Sequence, residues 1–283
     1  MIRCTVLALT AIPIVLGASA ELAGQDRTST QFERRASGES SVDVNVRFGA
    51  GDFTLGPTLS GNHLYRATLE YLEEHWEPIH TYGSGRLELG LQSRGGAPRS
   101  LRQGGEASME LRLGPSVPVD LSLEMGAVRA SMDLGGMALR SFELATGASE
   151  TRVEVSRENP VEMSELSLKI GAASFRAEGL GRLNPARISV EGGVGEVRLG
   201  LEGLSRDETE IAASMGLGAL EITVPDGVGI RLTRSGLLST LNAPFLERRG
   251  SAHYSDDWDT SDRRVRISVE SALGSVRIIR GDG

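Results

Sequence analysis

Arg152, Arg176 and Arg198 stand 24 and 22 residues apart. If each holds the same place in successive repeats, their guanidinium groups form a ladder able to grip an anionic polymer or an acidic protein surface. Glu154, Glu178 and Glu221 flank them, and they supply the other reading, a mixed and solvated face. Other chemistry is thinner. His75 and His80 flank Trp76, but a five-residue gap sends two imidazoles to opposite sides of a strand, and a metal needs them to converge. His63 and His253 have no motif around them. Asp256, Asp257, Asp259 and Asp262 offer carboxylate oxygens that calcium favours, without the glycine and closing glutamate of an EF-hand loop. The run GVGEVRLG from Gly193 contains the Gly-x-Gly of phosphate loops, yet Val197 and Leu199 continue it as a strand rather than a helix. There is no Gly-x-Ser-x-Gly and no Ser-x-x-Lys. These residues therefore predict no catalytic site, no cofactor and no metal. The one candidate binding surface is the arginine row.

A repeat must position that row. Val42, Val44, Val46 and Phe48 alternate with polar residues, a small-residue corner follows at Gly49-Ala50-Gly51, and Phe53 and Leu55 resume the alternation. Similar corners start near Gly83, Gly126, Gly147, Gly171, Gly193, Gly216, Ser235 and Ala272. From Gly126 to Ser235 they are spaced by 21, 24, 22, 23 and 19 residues. Apolar pairs precede the corners, such as Leu121/Leu123 and Ile188/Val190. Others follow them, such as Leu87/Leu89, Phe175/Ala177 and Val276/Ile278. A period near 22 residues predicts an all-β, parallel β-solenoid, right-handed by the general crossover rule, with each coil stacked on the last. An antiparallel sandwich also has short strands, but does not require one corner to recur.

The 283 residues are 39% hydrophobic and 24% charged, with a net charge of −8. That supports a sizeable core and argues against nucleic acid as a partner. Arg3, the apolar run from Thr5 to Leu16 and Ala18-Ser19-Ala20 read as an export signal over 1–20. Its removal takes away Cys4, the one cysteine, and leaves no segment able to span a bilayer as a helix. Residues 21–40 read as a flexible polar leader, 41–114 as an N-terminal β segment with an insertion at 57–80, and 115–283 as the solenoid with an excursion at 242–264. Leu64, Thr68, Leu72 and Trp76 fit a helix, whereas Tyr65, Ala67, Leu69 and Tyr71 fit a strand. The excursion reads as a cover for one end of the stack.

The segments VDVNVRFGAGDFTLGP, YGSGRLELGL, VPVDLSLEMGAVRASMDLGGMALRSFELATGASETRVEV and LEITVPDGVGIRLTRSG, with RVRISVESALGSVRI closing the chain, resemble the bacterial toast-rack family. That family is related to the C-terminal domains of cell-wall-active antibiotic response proteins and to proposed β-solenoid adhesins. The resemblance spans roughly 41–280 and implies a parallel β-solenoid, with strands over 62–82. Antibiotic-response members carry transmembrane helices and act beside a membrane histidine kinase. This chain departs from them in its signal, and no functional residue is carried across. Repeats without clustered chemistry, plus export, predict a non-enzymatic binding or scaffold protein of the envelope, periplasmic or at the cell surface. Its partner would be an envelope protein or an anionic cell-surface polymer. The alternatives are an adhesin-like protein that self-associates through its end coils and, by analogy of fold alone, a polysaccharide-active enzyme.

Overall fold

The computed structural model describes residues 27–58, 62–95, 107–236 and 238–281. The signal and Cys4 lie outside them. The strands are β1 (Thr28–Arg35), β2 (Val42–Pro57), β3 (His63–Tyr71), β4 (Trp76–Gly83), β5 (Arg86–Ser93), β6 (Ser108–Leu113), β7 (Val119–Asp133), β8 (Leu139–Glu154), β9 (Met163–Glu178), β10 (Pro185–Gly200), β11 (Glu208–Pro225), β12 (Val228–Ser235), β13 (Leu238–Asn242), β14 (Glu247–Arg249), β15 (Ala252–Tyr254) and β16 (Arg263–Gly281). Among the described residues a single 3₁₀ turn, Leu180–Leu183, interrupts them. No helix among the described residues is long and apolar enough to cross a membrane.

The long strands carry the repeat. β2, β7, β8, β9, β10, β11 and β16 lie side by side, all parallel. Each passes through its small-residue corner midway, giving an arm before it and an arm after it. Val44, Leu121, Phe142, Leu166, Ile188, Ile211 and Ile267 are register partners in sequence. All are buried, as are Phe53, Phe175, Val197, Leu220 and Val276 on the other arm. The chain is a parallel β-solenoid whose thin core is built from these in-register apolar ladders.

Corners decide how closely the coils stack. A Cβ at Gly171 would stand 2.6 Å from the Gly147 carbonyl oxygen, one at Gly193 2.8 Å from that of Gly171, and one at Gly216 2.7 Å from that of Gly193. Two residues on, Gly195 has φ +137°, and a Cβ there would lie 1.9 Å from the Ala173 oxygen. The corner therefore needs glycine for close approach, and at Gly195 also for left-handed backbone. Asn159 secures the turns between coils. Its Oδ1 accepts from the Leu139 N–H, and its Nδ2 donates to the carbonyls of Leu139, Val161 and Leu183 at 2.8–3.2 Å.

Three expectations change. The coils do not all stack in chain order. β5 and β6 form a split coil that lies outside β2, so β2 is held between them and β7. At the other end β12 and β13 lie outside β16, which slots in beside β11. The Gly83 corner is instead a hairpin turn between β4 and β5. Ser84 and Gly85 both have positive φ, the requirement of a two-residue turn whose twist suits the strands it joins. Leu87 and Leu89 consequently pair with Val44 and Val46 before a corner, not after one. Lastly, part of the leader is ordered: Thr28–Arg35 forms β1, antiparallel to β3.

β3 and β4 make strands of His63–Tyr71 and Trp76–Gly83, as the resemblance implied. Alternate residues Tyr65, Ala67, Leu69 and Tyr71 are buried. β3 pairs β6 as well as β1, so antiparallel strands cover this end. In the 242–264 excursion, β15 and β14 extend the sheet from β12. The sheet runs unbroken across position 114, because β2 and β7 are neighbours.

Gly195→Ala is expected to lower stability by about 2 kcal/mol or more, through strain and the carbonyl clash. Gly83→Ala, where a Cβ meets nothing within 4 Å, should stay within about 0.5 kcal/mol of the parent. Urea unfolding of the two variants measures both.

Candidate functional site

The arm after the corner positions the predicted arginines. Arg152 pairs in register with Arg176, Arg176 with Arg198, and Arg198 with Glu221. The three therefore form one row, on side chains 72%, 47% and 38% exposed. The row continues past Glu221 to Arg277. Counting five from Ala272 reaches Arg277, as it reaches the others from their corners. The excursion hides this neighbour in the sequence, since 56 positions separate Glu221 from Arg277.

Each arginine has an acid beside it. Arg152 lies 3.5 Å from Glu150 and Arg176 4.0 Å from Glu178. Arg198 pairs with Glu196, and its Nε is 3.9 Å from Glu221, too long for a hydrogen bond. Arg277 donates to Glu221 at 3.1 Å. The row is thus a ladder of ion pairs rather than a bare cationic stripe. Exposed pairs of this kind contribute little to stability and exchange readily for a ligand's charges.

A groove of about 1080 Å³ follows the corner on the other arm. Arg47, Glu124, Lys169 and Glu191 line one bank, with corner glycines beside them. Lys169 donates to Glu143 at 2.7 Å, and Arg47 is 3.5 Å from Glu124. Trp76 helps to line the groove, and Gly49 makes room for it, since a Cβ there would lie 3.2 Å from its ring. Sequence periodicity does not reveal this groove, because Trp76 reaches it from the hairpin that interrupts the repeat.

The remaining candidates disperse. His80 is held by Tyr65, and His75 lies 3.9 Å from Glu74. Asp257 receives Arg280 through both carboxylate oxygens, at 2.9 and 3.1 Å, and Asp259 receives Arg249 at 3.0 Å. Among the described residues no group of three or more His, Cys, Asp or Glu side chains could hold a metal ion. Gly193 and Gly195 sit within β10, at a solenoid corner.

The profile of the N-terminal domain of toast_rack, DUF2154, matches residues 22–176, more than half of the chain. The chain belongs to the toast-rack family. No curated protein matches it. Among solved structures, a proposed cell adhesion protein from Clostridium sporogenes is 13% identical, with 90% of this chain and 100% of that one covered at a TM-score of 0.51. A proposed adhesin from Bacteroides fragilis is 7% identical, covering 90% and 98%, TM-score 0.37. One from Parabacteroides merdae is 9% identical, covering 89% and 96%, TM-score 0.38. At such identities a likeness speaks to fold alone.

Within the toast-rack match, the N-terminal cover holds a titratable cluster. Phe32 stacks on His80 with centroids 4.0 Å apart, and the buried Tyr65 hydroxyl is 2.8 Å from His80 Nε2. Arg34 lies over the Tyr82 ring, whose hydroxyl donates to Glu39 at 3.0 Å. Burial holds the His80 pKa below its ordinary value and pushes that of Tyr65 up. The Ser37 N–H, with other hydrogen bonds, brings Glu39 down to about 2.

The folded His80 pKa lies below the unfolded one, so the unfolded chain takes up the proton first. Stability is full above the ordinary histidine pKa of about 6.5 and falls as pH drops towards the folded value. Glu39 adds a second loss between its ordinary 4.5 and about 2. Melting midpoints measured against pH should show the upper step disappear in His80→Phe and the lower one disappear in Glu39→Gln.

Proposed function

We propose that this toast-rack protein is an exported, non-enzymatic binding scaffold of the bacterial envelope. It holds a linear anionic envelope polymer, or the acidic surface of an envelope protein, along its outer face. The observation that carries this reading is the register of Arg152, Arg176 and Arg198 on adjacent coils. Cations repeating every ~4.8 Å across parallel strands suit a chain of anionic groups laid along the stack. Glu150, Glu178 and Glu196 are exposed and on the same strands as their arginines, and Glu221 is half-buried on the next strand, so an incoming polymer replaces mainly weak surface pairs.

Export rests on the signal-like residues 1–20. The name of the Clostridium sporogenes protein, a proposed cell adhesion protein, fits an envelope setting. An envelope-stress role would follow if the partner is a membrane sensor. An enzyme acting on a surface polysaccharide is the competing reading, and it requires converging acids and bases.

Crosslinking the tagged protein in its native envelope, then identifying the captured species, separates these readings. Recovery of a defined envelope protein or wall polymer is expected. Recovery of the protein crosslinked only to itself would overturn the partner-binding reading, and release of new reducing ends from isolated polysaccharide would overturn the non-enzymatic one. Arg176→Glu reverses a charge at the centre of the row. It should weaken retention on immobilised polyphosphate by about tenfold or more, with the melting midpoint unchanged. Unchanged retention removes the row as the site.

A further inference from the structure

Four strands have a neighbour on one side only among the described residues: β1, β4, β13 and β14. An open strand edge offers backbone donors and acceptors to any extended chain, and proteins blunt such edges with charge, proline or shortness. Three of these edges are blunted. β1 ends in Glu33-Arg34-Arg35. β4 carries Glu77 and, in mid-strand, Pro78. β14 is only three residues long, Glu247-Arg248-Arg249. β13 is the exception. Leu238-Ser239-Thr240-Leu241-Asn242 has no charge and no proline.

The surroundings of β13 sharpen the contrast. β15 and β14 extend the sheet beyond β12, over the arm before the corner, and leave β13 outermost on the other arm. Leu238 is 72% exposed, the most exposed large hydrophobic residue among those described. It heads a corner row that runs through Leu273 and Leu217 to Val194, each in register with the next and each about half exposed. The same row continues as Ala172, Ala148 and Ala127 towards the other end. Large apolar side chains thus gather where the edge is unguarded. The Arg234 guanidinium donates to the Ser239 carbonyl at 2.6 Å, a contact that an incoming strand's N–H can replace.

We propose that β13 is a dimerisation edge, pairing antiparallel with β13 of a second copy about a two-fold axis at Thr240. A second copy suits it because the strand is self-complementary. An antiparallel pair about Thr240 sets Leu238 opposite Asn242 and places no charged residue of one β13 opposite a charged residue of the other. The same operation at β1 or β14 would bring arginines and glutamates of two copies into one strand pair. The pairing continues the sheet across the axis and covers Leu238. It does not depend on the identity of any envelope partner.

Sedimentation velocity on the purified protein, from the micromolar to the submillimolar range, tests this. A monomer–dimer equilibrium is expected. Thr240→Lys and Thr240→Glu each place like charges face to face across the axis and should weaken the dimer by about tenfold or more. Mixing the two variants should restore it as a heterodimer. Thr240 is exposed, so both variants should melt like the parent, and Gln31→Lys on β1 should dimerise normally. A monomer at every concentration would overturn the proposal and leave β13 to an extended segment of another protein. A dimer indifferent to Thr240→Lys, or a mixture that fails to re-pair, would overturn the β13 axis.

Discussion

Everything in this protein depends on how closely one coil's corner can approach the next. At Gly147, Gly171, Gly193 and Gly216 the position that a side chain would take is 2.6–3.0 Å from the carbonyl oxygen of the neighbouring corner. Strand spacing in a sheet is set by backbone hydrogen bonds at about 4.8 Å, and a corner that stood further off would splay both arms. Glycine lets the bend hold that spacing, so each strand can pair along its whole length on both sides of the corner. The apolar ladders then align, because consecutive coils present partners at the same height.

The same alignment dictates the outside. Residues facing solvent also form rows, and a row of like charges at strand spacing would repel itself. The chain relieves this by placing acids next to the arginine row, as with Glu150, Glu178 and Glu196. What remains is a rigid face of exposed, weakly held ion pairs.

Both ends of the stack solve the open-edge problem in a related way. The first and last long strands, β2 and β16, are buried between neighbours, and the outermost coil comes from the adjoining part of the chain. Splitting that coil frees its flanks to fold back as antiparallel covers. The covers bring charge and proline to the edges, and they carry the aromatic cluster around Tyr65 and His80. Among the described edge strands, β13 alone carries neither charge nor proline. The contrast between guarded and unguarded edges gives it meaning.

The repeat, the burial of its alternating apolar residues and the meeting of Arg152, Arg176 and Arg198 in one row were legible in the sequence, because each follows from local period and a constant corner-to-corner count. The same local signal misplaces Gly83, because a hairpin glycine and a solenoid glycine look alike until the strand after it finds its partner. β1 was hidden in polar sequence, since Thr28–Arg35 shows no strong alternation and is ordered by pairing with β3. Arg277 joining the arginine row, the groove beside Trp76 and the exposed edge of β13 arise from neighbours far apart in the chain. The amino-acid order by itself determined that coils would form and which side of each would be buried, because those are properties of one coil. Only the tertiary structure decided which coil lies next to which and which edges stay open, because those depend on long-range backbone pairing that no local pattern records.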